Sequence, residues 1–373
     1  MGASVEDLLP LARAARGQVA RRLPDRAALR LFAEGALAGA ADEEAELVAL
    51  RRWKRERVLH ILALDLEGAL TLDEVSVALS EVADVLLGLV LSRVSARLGL
   101  GPESPVGVIG YGKLGSREMS YASDTDIVFV YDSAGSAPDL ALEQLARTAN
   151  RWLTAHTAAG VLYETDFRLR PYGSGGLLIT PFSGFREYQR EHAWVWEHQA
   201  LHRARWICGA APLAHAFADL RQEIVARRRD PRRLRTEVLA MRQRIWAASQ
   251  PPADLFDVKH SRGGIIDVEF LVQHLVLRHA ADRPELARVN DNAGVLACAA
   301  EAGLVPVDLA AAVTAAYRRY RQWMHHERLR GNERIRVSLA EAEPHRAAVL
   351  TLWQEAFAEE ETAARVSVGS RYI

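Results

Sequence analysis

The segment GKLGSREMSYASDTD, residues 112–126, stands directly before the apolar run IVFVY, residues 127–131. The β-branched and aromatic side chains of this run predict a buried strand. Because side chains alternate along a strand, Asp124 and Asp126 are expected on one face. Two carboxylates on one face repel each other, and a divalent cation between them is the usual remedy. The segment therefore predicts a metal-binding pair of acids at the start of a strand.

A predicted turn precedes the acids. Gly115 and Ser116 are expected at this tight turn, where backbone N–H groups can approach a phosphate. A phosphate-binding turn followed by paired carboxylates indicates metal-dependent nucleotidyl transfer. The overlapping GxGxxG pattern at 110–115 is disfavoured as a dinucleotide site, because too few residues follow it for the helix that such a unit needs.

A third carboxylate follows on residues 162–169, which alternate and predict a strand with Asp166 on its polar face. Asp166 is expected to hold a second ion or to accept the proton of the nucleophile. Arg168 and Arg170 on the same face are expected to neutralise triphosphate charge. Two alternatives stay open. In the first, Asp166 only pairs with one of these arginines. In the second, Asp124 and Asp126 only form a turn before the strand.

The hydrophobic pattern predicts an α+β fold that is predominantly helical, with a small mixed β-sheet core flanked by helical domains. With 373 residues, more than one domain is expected. We predict an N-terminal helical region at 1–100, a catalytic domain at 101–250 and a C-terminal helical bundle at 251–373, with a linker at Pro251-Pro252. Further strands are expected at 106–109 and, as a hairpin partner of the third strand, at 177–180. Helices are expected from residue 182 through the Trp-rich segment 194–206 and beyond.

Composition limits the partners. The net charge of −1 disfavours a general nucleic-acid binder, and the absence of an 18-residue apolar run disfavours a membrane span. The two cysteines, Cys208 and Cys298, lack metal spacing and favour a reducing, cytoplasmic location.

Lysine is rare in this chain. Of the 47 basic Lys and Arg residues, only Lys54, Lys113 and Lys259 are lysine. Two of them lie in unusual segments, and Lys259 is a candidate partner for Asp267 and Glu269 of a nearby apolar helix. Glu197 and Arg205 of the Trp-rich segment are further candidates to line the active-site cleft.

Four ordered segments resemble the glutamine synthetase adenylyltransferase family. Residues 110–129 are similar to its nucleotidyltransferase signature, and their sequence looks most like that of the C-terminal, adenylylating half. The other three segments are LYETDFRLRP at 162–171, WEHQALHRAR at 196–205, and FDVKH followed by GGIIDVEF at 256–270. The resemblance extends over roughly residues 45–335. Only one half of the two-headed pattern is present, as a piece of a larger enzyme or as a single-headed form.

The resemblance implies a nucleotidyltransferase fold that moves AMP from ATP to a tyrosine of glutamine synthetase. It makes Asp124, Asp126 and Asp166 the Mg²⁺-binding carboxylates, with two ions expected. It also implies that phosphates are held by Lys113, Gly115 and Ser116, although Ser116 stands where the family commonly has a second glycine. The nucleotide-binding set is completed by Ser123, Arg168 and Arg170.

Several other functions stay open. Phosphorolytic removal of AMP, uridylylation of a PII-type protein and a non-catalytic regulatory module are alternatives to adenylyl transfer. A PII-type regulator is a further expected partner.

Overall fold

The computed structural model describes residues 5–101, 104–133, 139–249, 254–332 and 334–358. Most of these residues are helical, and a small mixed sheet lies between two helical regions. This confirms the predicted α+β class with a predominance of helix. The predicted boundary near 250 and the Pro251-Pro252 linker lie outside the described residues.

Four helices precede the sheet, and three of them begin at a side-chain cap. Asp25, Asp42 and Thr71 each accept a backbone N–H from the first turn of the helix that follows. The helices are α1 (Val5–Ala15), α2 (Arg26–Leu37), α3 (Glu43–Leu66) and α4 (Leu72–Arg97). By length and composition alone, α4 could cross a membrane, but 72% of its most apolar stretch is buried inside the protein. Its apolar length is explained by packing within the first core.

The sheet has five strands in the order β5-β1-β2-β3, and β4 pairs with the far end of β2. The strands are β1 (Val106–Gly110), β2 (Thr125–Tyr131), β3 (Thr165–Asp166), β4 (Ile179–Pro181) and β5 (Arg205–Gly209). β1 runs antiparallel to both β2 and β5, whereas β3 and β4 run parallel to β2. The helices that connect or follow these strands are α5 (Gly112–Gly115), α6 (Asp139–Thr154), α7 (Phe182–Glu191), α8 (Val195–His202) and α9 (Ala211–Val225).

Three sequence predictions about this sheet are wrong. Residues 162–169 form a strand only at Thr165–Asp166, because the chain turns where Arg168 folds back on Asp166. Residues 179–181 pair with β2 and do not form a hairpin with β3. Residues 205–209 form strand β5 at the edge of the sheet, where helix was predicted.

The C-terminal region is built on a hydrophobic core of its own. Its elements are α10 (Pro231–Ser249), β6 (Leu255–Asp257), α11 (Ile265–His279), α12 (Glu285–Arg288), α13 (Asn292–Glu301), α14 (Val307–Leu329), β7 (Arg336–Ser338) and α15 (Leu339–Ala356). Leu234 and Val238 of α10 belong to this core, so α10 packs with the C-terminal helices. This packing favours a domain boundary between α9 and α10.

The sheet is covered on both faces. Val108, Ile127 and Phe129 point into a core shared with the N-terminal helices and α6. Ile109, Val128 and Val130 alternate with them and point into a second core with α7, α8 and α9. The N-terminal helices therefore form one wall of the catalytic sheet. Since both faces are covered, the exposed functional groups lie at one end of the sheet.

Candidate active site

The three predicted acids come together at the ends of β2 and β3. Asp126 and Asp166 are direct partners in the parallel pairing of these strands, and Asp124 lies just before β2. Burial, followed by the charges of Asp124 and Asp166, raises the pKa of Asp126 to about 6. The structure therefore brings together a partly buried carboxylate and two others that repel it.

The loop before β2 approaches Asp126 through a glycine. Gly112 has a left-handed φ of +53°, and a Cβ there would overlap Asp126 Oδ2. The N–H of Tyr111 donates to the carbonyl of Asp126 at 2.8 Å. The next residue, Lys113, is therefore placed beside the acid group. Burial lowers the pKa of Lys113, while Glu269 and Asp124 act in the opposite direction.

Gly115 and Ser116 have structural partners at the predicted phosphate turn. The N–H of Gly115 donates to Tyr111 at 2.9 Å, and the N–H of Ser116 donates to Gly112 at 3.1 Å. A Cβ on Gly115 would overlap the carbonyl oxygen of Arg203, so this glycine permits close packing. Both N–H groups would have to leave these bonds to bind a phosphate, and the phosphate role of this turn remains a prediction.

Ser123 and Arg170 stabilise local turns. The Oγ of Ser123 accepts the N–H of Ser120 at 2.9 Å. The guanidinium of Arg170 donates to the carbonyls of Phe167, Ser174 and Gly176, so it holds the turn that contains the 3₁₀ segment Gly173–Gly175. These contacts give both residues a structural function, and their nucleotide-binding role remains a prediction.

Arg168 pairs with Asp166. Its backbone N–H donates to Asp166 Oδ1 at 2.8 Å, and its guanidinium contacts Oδ2 at 2.5 Å. The side chain of Arg168 is 83% exposed. The side-chain hydrogen bond from Arg168, the largest of several contributions, lowers the pKa of Asp166. The alternative that the sequence left open for Asp166, pairing with an arginine, is therefore observed.

The three acids have the right chemistry for a divalent cation, but their side chains are not yet arranged around one. The raised pKa of Asp126 reflects burial first and then the negative charge of Asp124 and Asp166, which a cation would relieve, and carboxylate oxygens are the ligands that Mg²⁺ prefers. Across the residues that the structure describes, however, no three His, Cys, Asp or Glu side chains are already arranged to hold a metal ion. Asp166 would have to exchange Arg168 for the ion. The donor set fits Mg²⁺ on that condition.

A cleft of about 290 Å³ opens beside Lys113, between the catalytic sheet and the C-terminal helices. Lys113 and Glu118 line it from the catalytic side, and Lys259, Glu269 and Tyr317 line it from the C-terminal side. The cleft is therefore the space into which a ligand bound at the acids can extend. Both of the lysines that the sequence singled out reach it.

A buried polar network around Glu118 joins the walls of this cleft. Glu118 accepts from Arg203 at 2.6 Å and from the hydroxyl of Tyr317 at 2.8 Å. Arg203 also donates to Ser116 Oγ and Glu269 at 2.7 Å each. Sequence reasoning missed Glu118 and Arg203, although both lie inside the quoted motifs. Both motifs carry several other charged residues, so no pattern in the sequence marks these two.

Several sequence-based pairings are wrong. Asp267 pairs with the fully buried Arg242, and Glu269 pairs with Arg203, so Lys259 is the partner of neither. Glu197 accepts from the hydroxyl of Tyr188 at 2.9 Å, and Arg205 forms an ion pair with the buried Asp84 at 2.8 Å. Glu197 thus joins α7 to α8, Arg205 joins β5 to α4, and neither residue lines the cleft.

Comparison with known proteins supports the resemblance. A sequence model described as glutamate-ammonia ligase adenylyltransferase matches residues 10–220, and one described as GlnD PII-uridylyltransferase matches residues 232–337. Between these two matches lies the change from the second core to the C-terminal core.

Named relatives are similar over most of this chain. Proteins named bifunctional glutamine synthetase adenylyltransferase/adenylyl-removing enzyme are 47% identical in Chromobacterium violaceum, 43% in Bordetella bronchiseptica and 41% in Neisseria meningitidis serogroup B. The matches cover 79%, 85% and 86% of this chain but only 33%, 34% and 36% of those relatives. The chain thus spans about a third of the length of these relatives. On the match over residues 10–220, it belongs to the glutamate-ammonia ligase adenylyltransferase family.

Proposed function

We propose that this chain is a Mg²⁺-dependent adenylyltransferase that moves AMP from ATP to a tyrosine hydroxyl of glutamine synthetase. The observation that carries the proposal is the convergence of Asp124, Asp126 and Asp166 beside Lys113 in a member of this family. The relatives' printed names include both adenylyl transfer and adenylyl removal. A cytoplasmic site of action, where ATP is available, belongs to the same proposal.

In this reaction the tyrosine oxygen forms a bond to the α-phosphorus of ATP, and the bond between that phosphorus and the bridging oxygen breaks. Pyrophosphate leaves, and the tyrosine proton passes to solvent water. Asp124, Asp126 and Asp166 would hold one or two Mg²⁺ ions, which when bound would neutralise phosphate charge. Lys113 would orient the phosphates beside them.

Of the two roles that the sequence left open for Asp166, holding an ion is favoured. The hydrogen bond and charge of Arg168 lower the pKa of Asp166, which makes this carboxylate a weaker proton acceptor. The raised pKa of Asp126 makes that residue the stronger base in the ion-free site. A cation that replaced Arg168 would stabilise the ionised carboxylate in the same way, so we favour Asp166 as a ligand that stays ionised.

A second candidate function is uridylylation of a PII-type protein. The match of residues 232–337 to the PII-uridylyltransferase model favours it, because this region forms the second wall of the cleft. Phosphorolytic removal of AMP is a further alternative, in which inorganic phosphate attacks the α-phosphorus, the tyrosine oxygen leaves and ADP forms; the relatives' names include adenylyl removal. A regulatory module without catalysis is disfavoured by the intact trio of acids.

The test is incubation of the chain with Mg²⁺ and α-labelled ATP or UTP, together with glutamine synthetase or a PII-type protein. We expect label from ATP on glutamine synthetase and none from UTP. The Asp124→Asn variant should lose the transfer while keeping its fold by circular dichroism. Label from UTP on the PII-type protein alone would reject adenylyl transfer in favour of the second candidate. Release of ADP from adenylylated glutamine synthetase when inorganic phosphate is added, with no forward transfer, would identify the removing activity.

A further inference from the structure

Lys259 lies in a rigid turn between β6 and α11. The carboxylate of Asp257 accepts the N–H groups of Lys259 at 3.0 Å and His260 at 2.9 Å. The carbonyl of Val258, a fully buried residue, accepts the N–H of Ile265 at 2.9 Å. A Cβ on Gly264 would come within 2.8 Å of the same carbonyl. The backbone at Lys259 is therefore fixed from both sides, although it belongs to neither helix nor strand.

The charge of Lys259 is exposed and uncompensated. No carboxylate forms an ion pair with it in the part of the chain that the structure describes. Its neighbour Asp257 uses its Oδ1 on the N–H groups of the turn. By contrast, Arg203 and Arg321 in the same cleft are both paired with Glu118. A fixed backbone that presents an unpaired cation to a cleft is the arrangement expected of a site for an anion.

Other unpaired cations share the cleft with Lys259. Arg328, Arg334 and Arg336 line it and form no ion pair with the described residues. Arg336 lies opposite Asp257 in the β6-β7 pairing, so it is carried by the same small sheet as the turn. The C-terminal wall therefore has an excess of positive charge. Such an excess attracts a ligand with several negative charges.

The opposite wall carries Lys113, which lies beside the acids. Gly112 contacts the carboxylate of Asp126, and Lys113 follows it into the cleft. Lys113 and Lys259 are close enough to repel each other, since Lys259 contributes to the lowered pKa of Lys113. An anion between the two ammonium groups would turn this repulsion into attraction. A polyphosphate bound at the acids and extending along the cleft would meet both lysines.

We propose that Lys259 and Lys113 together bind the β- and γ-phosphates of the nucleotide, so that the C-terminal helical region completes the nucleotide site. This inference rests on the proposed nucleotidyl transfer and adds a residue from outside the catalytic sheet. Lysine suits the task because its ammonium is a compact charge on a flexible stem. A charge-assisted contact of this kind is worth about 1.5–3 kcal/mol, or roughly tenfold to a hundredfold in affinity.

The experiment is titration calorimetry of the whole chain with ATP, pyrophosphate and AMP in the presence of Mg²⁺. Lys259→Ala should weaken ATP and pyrophosphate binding by about tenfold or more and should change AMP binding by less than about twofold. Lys259→Arg should retain part of the affinity because the charge remains. The matched control is Arg232→Ala, which removes an exposed charge about 25 Å along α10 from the cleft-lining Ser249. It should bind all three ligands like the wild type.

The affinities of the two variants for the three ligands decide whether Lys259 binds the phosphates. Equal affinities of Lys259→Ala and Arg232→Ala for ATP and pyrophosphate would overturn the proposal. An equal loss of AMP binding would also overturn it, because it would indicate general damage to the site. Melting curves that match the wild type are expected, since the side chain is exposed.

The outcomes separate this inference from the proposed function. Wild-type protein that binds ATP but labels no glutamine synthetase would reject that acceptor and leave the Lys259 result valid. Wild-type protein that transfers AMP while Lys259→Ala binds normally would reject only the lysine. Wild-type protein that binds neither ATP nor pyrophosphate would reject both.

Discussion

Replacing Asp126 by asparagine should stabilise the ion-free protein at neutral pH while it removes nucleotidyl transfer. The pKa of this carboxyl is raised from 3.8 to about 6, which is roughly two pKa units at about 1.4 kcal/mol each. Ionised Asp126 therefore costs the folded state up to about 3 kcal/mol, and about 1–3 kcal/mol after allowance for screening at a partly exposed site. Asparagine has nearly the same shape and never ionises.

The sign of the pH dependence follows from the raised pKa. The folded protein holds the proton of Asp126 more tightly than the unfolded chain does, so this contribution to stability is complete below pH 3.8. It declines as the pH rises and is lost above about pH 6. The advantage of Asp126→Asn should therefore be greatest at neutral pH and disappear towards about pH 4.

The assay is thermal unfolding with a chelator present, followed by both fluorescence and circular dichroism because the chain has several cores. We expect a melting temperature a few degrees higher than that of the control Asp219→Asn, which changes an exposed carboxylate on α9. Added Mg²⁺ should raise the melting temperature of the wild type and not that of Asp126→Asn. A variant no more stable than the control at neutral pH would refute the reasoning.

Three further substitutions test the surroundings of the acids. Glu118→Gln weakens the ion pair with Arg203, whose side chain is 6% exposed, and should lower the free energy of unfolding by about 2–4 kcal/mol. The control Glu223→Gln, in an exposed pair with Arg190, should lower it by less than about 1 kcal/mol. Gly115→Ala should lower the free energy of unfolding by about 3 kcal/mol or more, because the new methyl group overlaps the Arg203 carbonyl. The control Gly175→Ala, with nothing within 4 Å of the new methyl group, should change it by less than about 0.5 kcal/mol. Equal costs would exclude this packing role. Arg168→Ala should free Asp166 and strengthen Mg²⁺ binding at a stability cost below about 1 kcal/mol, while a tenfold loss of ATP affinity would instead support Arg168 as a phosphate ligand.

Strong local patterns in the sequence predicted the centre of the fold. The β-branched run 127–131 and the run at 106–109 are strands, as their composition indicates. The helical flanks follow from long apolar periodicities and capping residues such as Thr71. The structure also gathers the three predicted acids, because parallel pairing places Asp126 opposite Asp166.

One failure has a local cause, and the others come from long-range contacts. The alternation at 162–169 suggested a strand, but Arg168 satisfies Asp166 locally and turns the chain. Residues 205–209 form a strand only because β1 offers a free edge, which no local pattern reveals. The partners of Asp267 and Glu269 are arginines 25 and 66 residues away in sequence. Propensity and periodicity carry no information about such distant partners.

The cleft has walls that are built on different hydrophobic cores, and this has a consequence for its opening. Separation of the walls would leave most of the apolar packing within each core in place and would break polar contacts between the walls, among them those of Tyr317 and Arg321 with Glu118 and of Glu269 with Arg203. Ion pairs are weakened by dissolved salt, whereas apolar packing is not. Access to the cleft should therefore respond to ionic strength even where the melting temperature does not. The contacts of Glu118, in the loop before Asp124, with Tyr317 and Arg321 would then limit how far the cleft opens.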